Sequence, residues 1–129
     1  MSTVLPDAAR DLADGPNYAV LTMLNADGSP QSSQVWVGRD GDELLIGTIA
    51  GRHKGRNVRR DPRTTVCIVD SQLRYRYAEV RGRAEVTADG AAELVRKLAV
   101  KYPEDAYEID DSVPWLVIRI TPDKVNVVE

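Results

Sequence analysis

The residues best suited to chemistry lie in one stretch, Thr48-Ile49-Ala50-Gly51-Arg52-His53-Lys54-Gly55-Arg56-Asn57, followed by Val58-Arg59-Arg60-Asp61-Pro62-Arg63. An apolar run ends at Thr48, a loop carrying Gly51 follows, and a short basic helix is expected from about Arg52. That order is suited to binding an anion. The first amides of a helix have no intrahelical acceptor, and the helix dipole favours negative charge at that end. Gly51 and Gly55 let the backbone approach closely. Lys54 supplies a full charge, Arg52 a planar fork that matches phosphate oxygens, and Thr48 a hydroxyl. The spacing is neither GxxxxGK[ST] nor GxGxxG, so neither nucleotide-binding motif applies.

Charge distribution points the same way. Between Arg52 and Arg63 there are six basic residues and one acid, Asp61, in a chain whose formal net charge is −3. A compact basic island on an acidic protein indicates a local anionic ligand and excludes a general nucleic-acid surface. The competing reading is a solvated helix face. Cys67 and His53 are the only residues of their types, which excludes an intrachain disulfide, a multi-cysteine zinc site and a histidine cluster. Cys67 sits in the apolar run TTVCIVD and reads as a small core residue. His53 has no Ser or Asp partner at a defensible triad spacing. Glu104, Asp105, Glu108, Asp110 and Asp111 do not follow the spacing of a calcium loop and read as a solvated connection.

The surrounding elements are mostly strands. Leu5, Ala8, Ala9 and Leu12 make a helical stripe that ends at Gly15. Strands are expected over Asn17–Asn25, Gln31–Gly38 and Glu43–Thr48, joined by Asp-Gly turns into an antiparallel meander. Thr64–Asp70 and Tyr75–Thr87 follow, the latter with a bulge or bend at Gly82. A helix is expected over Gly90–Tyr102, then a strand over Trp115–Thr121 continued by Lys124–Val128. The 129 residues fit one domain, 1–129, mainly β with few helices. Six antiparallel strands of this spacing imply a closed or nearly closed barrel. No apolar run approaches the roughly 20 residues of a membrane span. The N-terminus lacks the basic start and apolar core of a secretory signal, so the expected location is cytoplasmic.

Four stretches carry a family resemblance: DGSPQSSQVWV, ELLIGTIAGRHKGRNVRRDPR, VCIVD and YRYAEVRGRAEV. They resemble the pyridoxamine-phosphate-oxidase-like split β-barrels, and within them the class that uses coenzyme F420, a deazaflavin relative of FMN. The resemblance runs from about Tyr18 to Val128, and Lys54–Arg63 is its most specific part. It implies a six-stranded split barrel and a homodimer with two cofactor sites at the subunit interface. It also implies an F420-dependent oxidoreductase that moves a hydride to a small conjugated or quinone-like acceptor. The alternatives are FMN as cofactor, or a non-catalytic module binding a flavin, F420 or haem. Thr48, Arg52, Lys54 and Asn57 fall on family cofactor-contact positions, and Ile49 and Ala50 on the loop along the ring or its chain. His53 stands where FMN-using relatives often carry a phosphate-binding arginine. Ser32, Gln34 and Trp36 alternate on a strand that runs beside the ring system in the family. Tyr75 and Tyr77 match aromatic positions near the site. Arg59, Arg60 and Arg63 are placed to receive the oligoglutamate tail of F420. No metal and no membrane partner are implied.

Overall fold

A computed structural model describes residues 2–105, 109–110 and 112–129. Helix α1 (Asp7–Asp14) opens the chain and buries Ala9, Leu12 and Ala13. The strands are β1 (Ala19–Leu24), β2 (Pro30–Val35), β3 (Gly38–Asp40) and β4 (Glu43–Ile49), then, after helix α2 (His53–Arg60), β5 (Arg63–Val69) and β6 (Tyr77–Thr87). Helix α3 (Ala91–Lys101) and a single 3-10 turn (Pro103–Asp105) precede β7 (Trp115–Val128). All seven strands form one antiparallel sheet in the order β2-β1-β5-β6-β7-β4-β3.

The mainly β architecture is as the sequence indicates, but the connection of the first strands differs. Both Asp-Gly turns form, with Gly28 and Gly41 at φ of +84° and +60°, values that favour glycine. The expected strand Gln31–Gly38 nevertheless breaks in two at Trp36-Val37. β2 stays with β1 while β3 pairs with β4 at the opposite end of the sheet. The expected meander is therefore divided, seven strands replace six, and no ladder closes the sheet into a barrel among the described residues. The reason lies in how Val37 is satisfied. Its side chain is fully buried, its N–H donates to the Tyr102 hydroxyl (3.3 Å) and its carbonyl accepts from Lys101 Nζ (2.5 Å). A buried peptide group needs a partner, and here side chains from the end of α3 replace the ladder.

The main core lies on the inward register of the strands. Leu21 and Met23, Leu44 and Ile46, Val66 and Ile68, and Ile118 and Ile120 all meet there, with α1 and Val58 of α2 against them. Gly82 sits at the β6/β7 register shift. A Cβ there would lie 2.3 Å from the Thr121 carbonyl oxygen, so only glycine fits the bend. The two expected C-terminal strands merge into the single long β7 across Pro122. A smaller cluster lies on the other face of β4 and β7, where α3 brings Ala91, Leu94, Leu98 and Tyr102 against Val117, with Tyr18, Trp36 and Trp115 around them. Gly47 lies under α3, where a Cβ would stand 2.8 Å from Val95 Cγ2. No helix among the described residues is long and apolar enough to cross a membrane.

Candidate functional site

A cleft of about 330 Å³ opens between that second cluster and the start of α2. Small-molecule pockets commonly run to roughly 300–1,000 Å³. Its floor is Gly47 with Val95 and Leu98 of α3, and its walls are aromatic: Tyr18, Trp36 and Trp115. Gln34 and Val35 of β2 line one side, and Lys54 and Asp105 complete the rim.

Alternation places Gln34 here. On β2 the residues Ser32 and Gln34 point outward while Gln31 and Ser33 face inward. Trp36 follows at the point where the chain leaves β2. Its ring stacks on Tyr102 (centroids 5.4 Å apart, planes at 9°), and Tyr102 also meets Tyr18 at 5.2 Å. Such offset contacts add to the burial of the rings themselves. Tyr102 is anchored in turn, its hydroxyl donating to the Asn17 carbonyl at 2.6 Å. The Lys101 ammonium lies 5.2 Å from the Tyr102 ring centroid and donates to the carbonyls of Ala13 and Val37.

Lys54 comes from the first turn of α2, whose N-cap Arg52 has an extended backbone and makes no side-chain cap. The first turn of this helix contains no acid, and no ion pair engages Lys54 among the described residues. Burial, and then the charge of Arg52, pull its pKa below the ordinary 10.5. A half-buried ammonium with no counter-ion, beside open helix amides, is a cation that an anionic ligand would stabilise.

Of the twelve residues singled out from sequence, the cleft brings together Gln34, Trp36 and Lys54. Ile49, Ala50 and Arg52 lie on the strand end and loop that lead into α2, with Gly51 at φ +82°. Thr48 shares the buried inward register of Leu44 and Ile46. His53 and Asn57 turn elsewhere: His53 Nε2 and Asn57 Nδ2 both meet Asn25 Oδ1, at 2.9 and 3.1 Å, and Asn57 Oδ1 accepts from Arg60. Asn57 is fully buried, so here it ties α2 to the β1–β2 hairpin. Ser32 bonds Thr22 (2.8 Å) on the outer face of the sheet. Tyr75 is exposed in the β5–β6 loop, and Tyr77 starts β6 opposite Val69.

Sequence reasoning missed Tyr18, Trp115 and Asp105. It placed Asp105 in a solvated acidic connection; the residue is exposed, and it also lines the cleft. Asp105 Oδ2 accepts the Tyr18 hydroxyl at 2.5 Å and the Trp36 indole N–H at 3.0 Å. Those two bonds hold its carboxyl below the usual carboxylate range, while the Tyr18 phenol is pushed up to about 12, chiefly by Asp105. Glu108 and Asp111 of the same acidic run lie outside the described residues. No group of acidic, histidine or cysteine side chains among the described residues is arranged to hold a metal.

A sheet divided between its end strands, with an aromatic cleft facing a basic helix start, is the arrangement of the split-barrel class of domain. Comparison with known proteins agrees: the chain belongs to the pyridoxamine 5'-phosphate oxidase family, whose model matches residues 5–129. A solved structure named an F420 reductase is 28% identical, with a TM-score of 0.82 over 95% of this chain and 98% of that one. A putative pyridoxamine 5'-phosphate oxidase from Listeria innocua (23% identical, TM-score 0.67, 86% and 87% covered) shares the fold. So does an FAD-binding protein from Mesorhizobium loti (21%, 0.67, 97% and 95%).

Proposed function

We propose that the chain binds coenzyme F420 and acts as an oxidoreductase toward a small conjugated or quinone-like acceptor. The observation that carries this reading is Lys54: half-buried, without a counter-ion, and opening into the same cleft as Trp36, Trp115 and Gln34. The likeness to a protein named an F420 reductase supports it.

The residues present fit a phosphorylated deazaflavin. Three aromatic side chains and a glycine floor suit a planar ring, and Lys54 with the first amides of α2 suits a phosphate. Arg56 and Arg59 are exposed on the same helix and suit a further acidic tail. When bound, F420 supplies a hydride from its ring. The chain's own contribution is to bind, orient and exclude water. Gln34 would offer an amide to the ring, Trp36 is held by its stack on Tyr102, and Val95, Leu98 and Trp115 supply apolar surface to the cleft. Holding the ring and acceptor together would lower the entropic part of the activation barrier.

FMN is the second reading, favoured by the family and by the neighbour named an FAD-binding protein; its phosphate would use the same Lys54. His53, bonded to Asn25, offers the cleft no substitute for a phosphate-binding arginine, which favours F420. A second copy of the chain is proposed to cover the outer face of the sheet, where Val20 is 39% exposed and Tyr77 lies between Val69 and Val128. Sedimentation at micromolar concentration should give twice 14.2 kDa; a folded monomer would remove the shared-site arrangement.

Titration with F420 and FMN side by side tests the cofactor. F420 should bind more tightly, and reduced F420 should be oxidised only with protein and acceptor both present. FMN retained through purification, with no F420 binding at micromolar levels, would overturn the proposal.

A further inference from the structure

We infer that Asp105 determines acceptor specificity, selecting molecules that present a hydrogen-bond donor, a hydroxyl or N–H, to its free carboxylate oxygen. The inference rests on the proposed function, with F420 held from the Lys54 end and the acceptor meeting its ring at the Asp105 rim of the cleft. Both bonds that Asp105 receives converge on Oδ2, from Tyr18 and from Trp36. Among the described residues Oδ1 accepts no hydrogen bond, and Asp105 is exposed at the rim of the cleft it lines. A carboxylate has about four acceptor positions, and the protein fills two of them on one oxygen.

The carboxylate is fixed in place. The amide of Asp105 donates to the Tyr102 carbonyl (3.2 Å), and Tyr102 is itself stacked on Trp36 and bonded to Asn17. The same side chain therefore meets two cleft walls and is tethered to a third element. It also remains charged, because both neighbouring donors favour the ionised form. Lys54 lines the same cleft, yet no ion pair joins it to Asp105, so neither charge cancels the other. The cleft thus has an anion-binding end at Lys54 and a donor-binding end at Asp105, with aromatic surface between them. An acceptor carrying only ether or carbonyl oxygens at the Asp105 end would set lone pairs against a carboxylate, whereas a hydroxyl or N–H would satisfy it. A hydrogen bond to a charged group corresponds to roughly tenfold or more in affinity.

The test compares 4-hydroxycyclohex-2-enone with its 4-methoxy ether. Binding is read from quenching of tryptophan fluorescence without cofactor, and kcat/KM is measured with reduced F420. Wild type should favour the hydroxy compound about tenfold in both measurements. Asp105→Asn can still accept from Tyr18 and Trp36 but loses the charge, and should reduce the preference to near unity. Tyr18→Phe keeps the carboxylate and removes one of the two donors to Oδ2, and should keep or enlarge the preference, so a loss of fold in one variant does not decide the matter. Equal binding of the two compounds by wild type, or an unchanged preference in Asp105→Asn, overturns the inference. Failure of F420 to bind would remove the cofactor reading separately, since the fluorescence comparison does not require it.

Discussion

Replacing Lys54 with alanine isolates the charge at the start of α2. The ammonium is half-buried, carries no ion pair among the described residues, and sits beside Arg52, which lowers its pKa further. Wild type therefore holds an unfavourable local charge that a bound phosphate would relieve. A hydrogen bond to a charged group is worth roughly 1.5–3 kcal/mol. Lys54 is only partly buried, so the lower half of that range applies and cofactor affinity should fall about 10–40-fold. The reference variant is Arg39→Ala. Arg39 is already committed to Asp14 at 2.8 and 2.9 Å and to the Gly41 carbonyl, and does not line the cleft. It should change affinity by no more than about twofold. Fluorescence titration at low and moderate salt, across the alkaline range, supplies the assay. Wild-type affinity should fall with salt. It should also fall as pH rises through the depressed Lys54 pKa, because the neutral amine no longer attracts phosphate, and this pH dependence should be missing from Lys54→Ala. Equal small effects of the two substitutions, or a wild-type affinity indifferent to pH and salt, would refute the assignment of the anion site.

Gly82→Ala should cost roughly 1–3 kcal/mol or more, because the new Cβ meets the Thr121 carbonyl oxygen and Ile120 Cγ2, neither of which is the end of a flexible chain; a urea transition within about 0.5 kcal/mol of wild type would contradict the close packing at the bulge. Burial pushes Lys101 down to about 8 from 10.5, against the pull of Asp14, so the unfolded chain binds more protons between those values and this residue's penalty is relieved as pH rises from about 8 toward 10.5. Denaturation at pH 7.5 and 9.5 should show wild type gaining stability relative to Lys101→Met, and a constant difference between the two would contradict the burial of that charge.

The sequence made some features legible and hid others for physical reasons. Periodicity in Leu5–Leu12 and in Leu94–Leu98 located α1 and α3, because amphipathic helices are encoded locally. Gly82 announced its bend because a glycine in the middle of a long strand has little other use. Lys54 and Trp36 could be singled out, one by a basic run after a glycine loop and the other by alternation on its strand. The break at Trp36-Val37 was hidden, since nothing in QSSQVWVG marks it. It depends on Lys101 and Tyr102, more than sixty residues away, replacing a strand as partner for Val37. Asp105 was hidden for the same reason: its partners Tyr18 and Trp36 are 87 and 69 residues distant, and it is one of several acids in its own connection. Long-range polar contacts carry no local signature, whereas burial periodicity does.

These two hidden features have one physical origin. The end of α3 satisfies the peptide groups of Val37, and so allows the chain to leave β2 and reach the far end of the sheet. The same residues fix the cleft: Tyr102 stacks on Trp36, and its carbonyl holds the amide of Asp105. The break in the strand is thus where Trp36 stacks on Tyr102, on the wall of the cleft that Trp115 also lines. Stability of the crossing and geometry of the site are coupled through Tyr102, a residue that has no exposed polar surface of its own and would not be found by searching for charged or reactive groups.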